Sequence, residues 1–82
     1  MKIGIAGTLE SSDVMITVKT SQELKVTIHS AVDDFFHDQI EKVIFDTLKE
    51  LNINKIDVLC EDKGALDYTI KSRLITAIKR ME

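Results

Sequence analysis

Val14-Met15-Ile16-Thr17-Val18-Lys19, the polar link Thr20-Ser21-Gln22-Glu23, and Leu24-Lys25-Val26-Thr27-Ile28-His29 form the stretch on which the fold turns. In the first run, Val14, Ile16 and Val18 fall on one side, and Met15, Thr17 and Lys19 on the other. In the second, Leu24, Val26 and Ile28 oppose Lys25, Thr27 and His29. Period two marks a half-buried strand, because successive side chains point to opposite faces. Two such runs around a short polar link predict an antiparallel hairpin. An isolated hairpin is marginal in water, so its apolar face needs a cover.

The cover follows in the chain. Ser30 and Asp33 stand near an acceptable helix start, somewhere between residues 31 and 35. Phe36, Ile40, Val43, Ile44, Leu48 and Leu51 then recur every three or four positions. That spacing predicts an amphipathic helix of about five turns, with Glu41, Lys42, Lys49 and Glu50 outside and residues 52–54 as its exit. Residues 55–61 read as a third strand, in which Ile56, Val58 and Cys60 alternate with Asp57 and Leu59. Asp62 is placed to cap a last helix. The apolar stripe of that helix is Leu66, Ile70, Leu74, Ala77 and Ile78, with Lys71, Arg73, Lys79 and Arg80 off it. The order β-β-α-β-α predicts an α+β, two-layer sandwich: a three-stranded sheet covered on one face by two helices. The first strand is expected in the middle, antiparallel to both neighbours. Phe35, Phe36 and Phe45 read as a core set with one to spare, and Cys60 as a small buried residue.

A chain of 82 residues makes a single domain, 1–82. Gly4 and Gly7 suggest that residues 1–12 are a partly flexible N-terminal segment. Fourteen acids against eleven bases argue against a nucleic-acid partner, which favours a clustered basic face. No apolar run approaches the roughly 20 residues of a membrane span, and residues 1–12 lack the apolar core of a signal peptide. A lone cysteine makes no internal disulfide, so a cytoplasmic location is the default.

The chemistry-bearing stretch is Gly7-Thr8-Leu9-Glu10-Ser11-Ser12-Asp13, just ahead of the first strand. Elsewhere no nucleophile–base pair, metal cluster or phosphate loop stands out. His29 and His37 lack companion ligands, so no metal is expected. Ser-Ser-Asp is also common turn chemistry. A serine on a loop can nevertheless carry a group, because a second enzyme can reach it. Further on, Asp62-Lys63-Gly64-Ala65-Leu66-Asp67 reads as a strand-to-helix turn. Its second reading is that the helix start lies near Ser11, where free N–H groups and Lys63 favour an anion. The sheet positions Met15, Thr17, Lys19, Lys25, Thr27, His29, Asp57 and Leu59 make the other face, read as solvated.

Ala6-Gly7-Thr8-Leu9-Glu10-Ser11-Ser12-Asp13, followed much later by Asp62-Lys63-Gly64-Ala65-Leu66-Asp67, resembles the citrate lyase acyl carrier (gamma chain) family. The resemblance runs from residue 5 to about residue 80. It implies that Ser11, directly after Leu9-Glu10, carries a phosphoribosyl dephospho-coenzyme A arm through a phosphodiester. Ser12 falls where that family accepts serine or glycine. The implied role is a non-catalytic carrier of acetyl and citryl thioesters during cleavage of citrate to acetate and oxaloacetate. The implied partners are the transferase and lyase subunits and a prosthetic-group transferase, and any magnesium belongs to the lyase partner. Two other readings stand beside it: the acyl carrier of a malonate decarboxylase-type complex, which uses a related arm, and a small α+β protein-interaction module without a prosthetic group.

Overall fold

Four strands, not three, make the sheet. A computed structural model describes residues 2–31 and 37–81. The elements are β1 (Ile3–Gly7), β2 (Val14–Thr20), β3 (Lys25–Ser30), α1 (His37–Glu50), β4 (Ile56–Asp62) and α2 (Asp67–Lys79). The sheet is mixed, in the order β1-β2-β4-β3, with two helices packed on it. The expected three-stranded sheet is therefore corrected by one strand.

The added strand is β1, Ile-Gly-Ile-Ala-Gly, and its pattern is inverted. Gly4 and Ala6 face inward and are buried, while Ile3 and Ile5 face outward, 49% and 48% exposed. The inward residues are small because α2 lies directly on them. A Cβ added at Gly4 would run into the Ala77 carbonyl. The strand therefore hides its small residues and shows its large ones, so it carries no apolar inner stripe to be read. Its outer edge is not left open: Arg80 Nη1 donates to the Ile5 carbonyl at 2.9 Å, which occupies an acceptor that an edge strand would otherwise offer to another chain.

The predicted hairpin is also corrected. β2 and β3 do not pair, because β4 lies between them. β2 is antiparallel to β4, with Thr20 opposite Ile56, and β3 is parallel to β4, with Lys25 opposite Asp57. Two strand spacings come to about 10 Å, and the five steps from Thr20 to Lys25 reach about 17 Å when extended. The polar link is long enough to pass over the start of β4. The true hairpin is β1–β2, joined by residues 8–13, with Gly7 opposite Met15. β2 is antiparallel to both its neighbours, but these are β1 and β4.

The alternations themselves define the core. Val14, Ile16 and Val18 from β2 and Ile56, Val58 and Cys60 from β4 meet Ile40, Ile44 and Leu48 of α1 and Ile70, Leu74 and Ala77 of α2. Val26, Ile28, Val43 and Ile78 pack at the margin. Leu24, Phe45, Leu51 and Leu66 are exposed instead, Leu66 by 61% because it is the N-cap of α2 rather than part of its stripe. The described part of α1 begins at His37. Ser30 ends β3, whereas Asp33, Phe35 and Phe36 lie outside the described residues. At its other end α1 closes as read. Asn52 takes φ +57°, and Ile53 N–H donates to the Leu48 carbonyl at 2.9 Å, a left-handed cap that satisfies the last carbonyls.

Candidate functional site

Residues 8–13 arch from the end of β1 to the start of β2, at the end of the sheet where Val14 opposes Asp62. Gly7 opens the arch at φ +94°, a left-handed conformation that glycine enters without penalty. A side chain there would also strike the Val14 carbonyl and press on the Arg73 side chain. Thr8, Leu9, Glu10, Ser11 and Ser12 are exposed. Ser12 sits at φ +67°, uncommon for a residue with a Cβ.

Asp13 closes the arch. Its Oδ2 accepts from Thr8 Oγ1 at 2.7 Å, and its Oδ1 accepts from the Val14 N–H at 2.7 Å. Arg73 of α2 adds a two-point grip, Nε to Oδ1 at 3.2 Å and Nη2 to Oδ2 at 3.1 Å. The Thr8 hydroxyl, the Val14 amide and the Arg73 guanidinium together hold this carboxyl at about 2, below its ordinary 3.8. It is a fixed anion whose charge is already answered. Glu10 N–H donates back to Thr8 Oγ1 at 3.2 Å, and Asp13 N–H to the Glu10 carbonyl at 3.1 Å.

The second motif lies beside the first. Ser12 N–H donates to the Lys63 carbonyl at 2.8 Å, and Lys63 N–H donates to the Asp13 carbonyl at 2.9 Å. The turn before α2 thus continues the β2–β4 ladder by one step and holds the serine arch from the side. Gly64 takes φ +95° in that turn. Asp62 does not cap α2 as expected. It is 2% exposed and accepts from Ser30 Oγ at 2.9 Å and from the Ala65 N–H at 2.9 Å. Its carboxylate ties β3 to the turn, and α2 starts five residues later without a side-chain cap. An apolar recess of about 300 Å³ opens between Gln39, Ile40, Ala65, Leu66 and Ile70. A larger groove lies at the opposite end of the sheet, by Leu24, Phe45 and Ile53.

Ser11 stands at the free crest. Among the described residues its hydroxyl makes no hydrogen bond, while the backbone on its C-terminal side is pinned through Ser12 and Asp13. Such a site offers an unhindered oxygen on a defined platform. Nearby acids oppose an incoming anion less than their number suggests: Asp13 is paired with Arg73, Asp62 is enclosed, and Asp67 accepts from Gln39 Nε2 at 2.6 Å. Lys63 adds positive charge on the α2 side, whereas Lys71 is paired with Glu50 at 3.0 Å. No cluster of His, Cys, Asp or Glu able to hold a metal ion occurs among the described residues. His37 meets Glu41 at 3.4 Å on the exposed side of α1. No described helix is long and apolar enough to cross a membrane.

Two residues of the site escaped the sequence reading. Arg73 reads as one more charge off an apolar stripe, and Thr8 as a loop hydroxyl. No local signal marks either, since the residue that joins them, Asp13, meets Arg73 only in the folded chain.

Known proteins resemble this chain in sequence and in fold. The family described as Malonate decarboxylase delta subunit (MdcD) matches residues 1–81. The citrate lyase acyl carrier protein of Streptococcus mutans is 51% identical over 78 residues, 93% of this chain and 76% of that protein. The chain belongs to the citrate lyase acyl carrier protein family. Its counterpart from Halothermothrix orenii is 43% identical over 92% of this chain and 81% of its own, and that from Streptococcus uberis 44% over 98% and 80%. A similar fold is also found in a crystal structure of a Pseudomonas malonate decarboxylase hetero-tetramer in complex with malonate, at TM-score 0.80 over 94% of this chain and 80% of that one. At 16% identity that likeness is one of fold. Membership agrees with a carrier that brings no catalytic group of its own, and with an acyl-carrier-type subunit of a citrate lyase/malonate decarboxylase-like complex.

Proposed function

We propose that this chain is the acyl carrier subunit of a citrate lyase, and that Ser11 bears its phosphoribosyl dephospho-coenzyme A arm as a phosphodiester. The observation that carries the reading is the serine arch: Ser11 is exposed on a loop whose neighbours, Ser12 and Asp13, are bonded to Lys63 and Arg73. The residues present fit such a group. A phosphodiester on Ser11 projects into solvent, where Arg73 already answers the Asp13 carboxylate and the exposed Glu10 side chain is free to turn away from it. When bound, the arm supplies a thiol on a long tether, and the acyl chemistry belongs to it. The chain's own residues anchor the tether, keep its base exposed and present a surface to partners. Tethering raises the local concentration of an acyl group at each active site it visits. The partners on this reading are the transferase and lyase subunits and a prosthetic-group transferase, in the cytoplasm.

A second reading has its own support. The family description and the solved fold both carry the name of malonate decarboxylase. A carrier in that complex would use the same serine and a related arm. Identities of 42–51% to citrate lyase carriers favour the first.

Intact mass and peptide mapping of the chain from its native host test the attachment. A large adduct on Ser11, lost in Ser11→Ala with the circular dichroism unchanged, is the expected result. An adduct on Ser12 would move the site, and a chain that never carries one would be an interaction module. Supplying the loaded chain to its purified partners with citrate or malonate then separates the two complexes.

A further inference from the structure

We propose that Arg73 is a positioning residue for the attachment serine: acting through Asp13, it holds residues 8–13 in the conformation that presents Ser11 to the enzyme that loads it. The inference rests on the carrier reading above and adds to it a residue on another element, far along the chain.

The arch has local and distant restraints, and they differ in kind. The bonds from Thr8 and Val14 to the Asp13 carboxylate come from its immediate neighbourhood, so they close a turn without fixing where that turn points. Arg73 comes from the second turn of α2, sixty positions away in sequence, and binds both carboxylate oxygens. A two-point grip by a planar guanidinium fixes direction as well as distance. The helix it stands on follows the turn whose Lys63 carbonyl receives the Ser12 N–H. Ser12 and Asp13 are thereby fastened to a single body, and Ser11 is carried with them.

Packing does not account for the arginine. Its side chain is 40% exposed, while the carboxylate it grips is 14% exposed. The arginine leans out of the helix and over the arch, and position 7 leaves room for it: a Cβ on Gly7 would stand 3.2 Å from Arg73 Cδ. The pair also settles charge. Esterifying Ser11 to a phosphate places an anion two residues from Asp13, and the guanidinium answers that carboxylate in advance.

The test compares Arg73→Gln, Arg73→Lys, Asp13→Asn and the double variant Asp13→Asn/Arg73→Gln in the full chain, loaded by the purified prosthetic-group transferase with its arm donor. Arg73→Gln is expected to keep the circular dichroism spectrum and to stay fully folded at the loading pH with a slightly lower urea midpoint, and to lower the kcat of loading about 10- to 100-fold, as a misplaced nucleophile does. KM for the arm donor should stay unchanged. Arg73→Lys restores charge without the two-point grip and should recover loading in part. In Arg73→Gln, NMR titration of the Asp13 carboxyl should move up from about 2 towards its ordinary value, with shifts at the Ser11 and Ser12 amides. The double variant should load no worse than Asp13→Asn, because Arg73 acts through Asp13. A kcat for Arg73→Gln within twofold of wild type, with the adduct on Ser11, overturns this inference and leaves the carrier reading intact. So does an equal further loss when Arg73→Gln is added to Asp13→Asn. Loading that persists in Ser11→Ala overturns the attachment reading instead.

Discussion

The main chains of Ser12 and Lys63 are bonded directly: the Ser12 N–H donates to the Lys63 carbonyl at 2.8 Å, and the Lys63 N–H donates to Asp13 at 2.9 Å. These bonds bring together the two motifs that lie furthest apart in the chain. They also determine what each serine is free to do. Ser12 has a committed amide and a left-handed φ of +67°, whereas Ser11 has only its place on the crest.

Substitution at Ser12 should therefore read out backbone, not chemistry. Ser12→Gly relieves the left-handed conformation and should fold and load normally, and Ser12→Ala should still load. Ser12→Val puts a β-branched side chain where φ is positive and should cost about 1–3 kcal/mol. Urea unfolding of the three variants checks this, and a Val variant as stable as the Gly variant would contradict it.

Acid stability should carry the signature of Asp13. Its folded value, about 2, lies below the ordinary 3.8, so its contribution is complete above pH 4 and is lost as pH falls through about 2. Asp13→Asn removes that contribution and should flatten the acid limb of the stability profile between about pH 4 and pH 2. Urea midpoints measured across that window, wild type against variant, give the comparison; parallel curves would mean the carboxylate is not so held.

Cys60 should be silent to thiol reagents in the native chain. It is fully buried on β4, and burial, with Asp62 and Glu61 nearby, pushes its thiol up to about 12. A disulfide reagent at pH 8 should find no fast thiol before loading and one after it, belonging to the arm. A fast thiol in the unloaded chain would show that β4 opens.

The inverted strand β1 predicts unequal tolerance along five residues. Gly4→Ala forces a methyl into the Ala77 carbonyl, and should cost about 1–3 kcal/mol or more as α2 lifts from the sheet. Ile3→Thr, on the outer face, should change stability by less than about 0.5 kcal/mol. Leu74→Ala, fully buried in the core on the same helix, should cost about 2–5 kcal/mol. Urea unfolding ranks the three; equal effects at positions 3 and 4 would remove the close helix contact.

Loading should perturb the serine arch and its neighbour but leave the core alone. Shifts in the NMR spectrum should gather at residues 7–13 and 62–66, which share the Ser12–Lys63 bonds. Fast motion should persist along the arm. Shifts centred on Gln39, Ile40 and Ile70, with a rigid arm, would instead put it in the recess between the helices.

The sequence by itself determined the elements whose side chains alternate or recur: Val14–Ile16–Val18, Ile56–Val58–Cys60, the α1 stripe Ile40–Ile44–Leu48 and the α2 stripe Ile70–Leu74–Ala77. These are local periodicities, and the hydrophobic effect reads them wherever the elements end up. The serine arch was legible for a similar reason, since a motif is a run of neighbours. Strand order was not. Pairing is a contest among edges, and β4, placed late in the chain, enters between β2 and β3 because it offers both a buried face and two edges. β1 was hidden because its inward residues are chosen by a helix some seventy residues on. The Asp13–Arg73 grip and the enclosure of Asp62 by Ser30 and Ala65 are likewise decided by the tertiary structure alone. A carboxylate's partner depends on distance in space, and no spacing in the sequence records that.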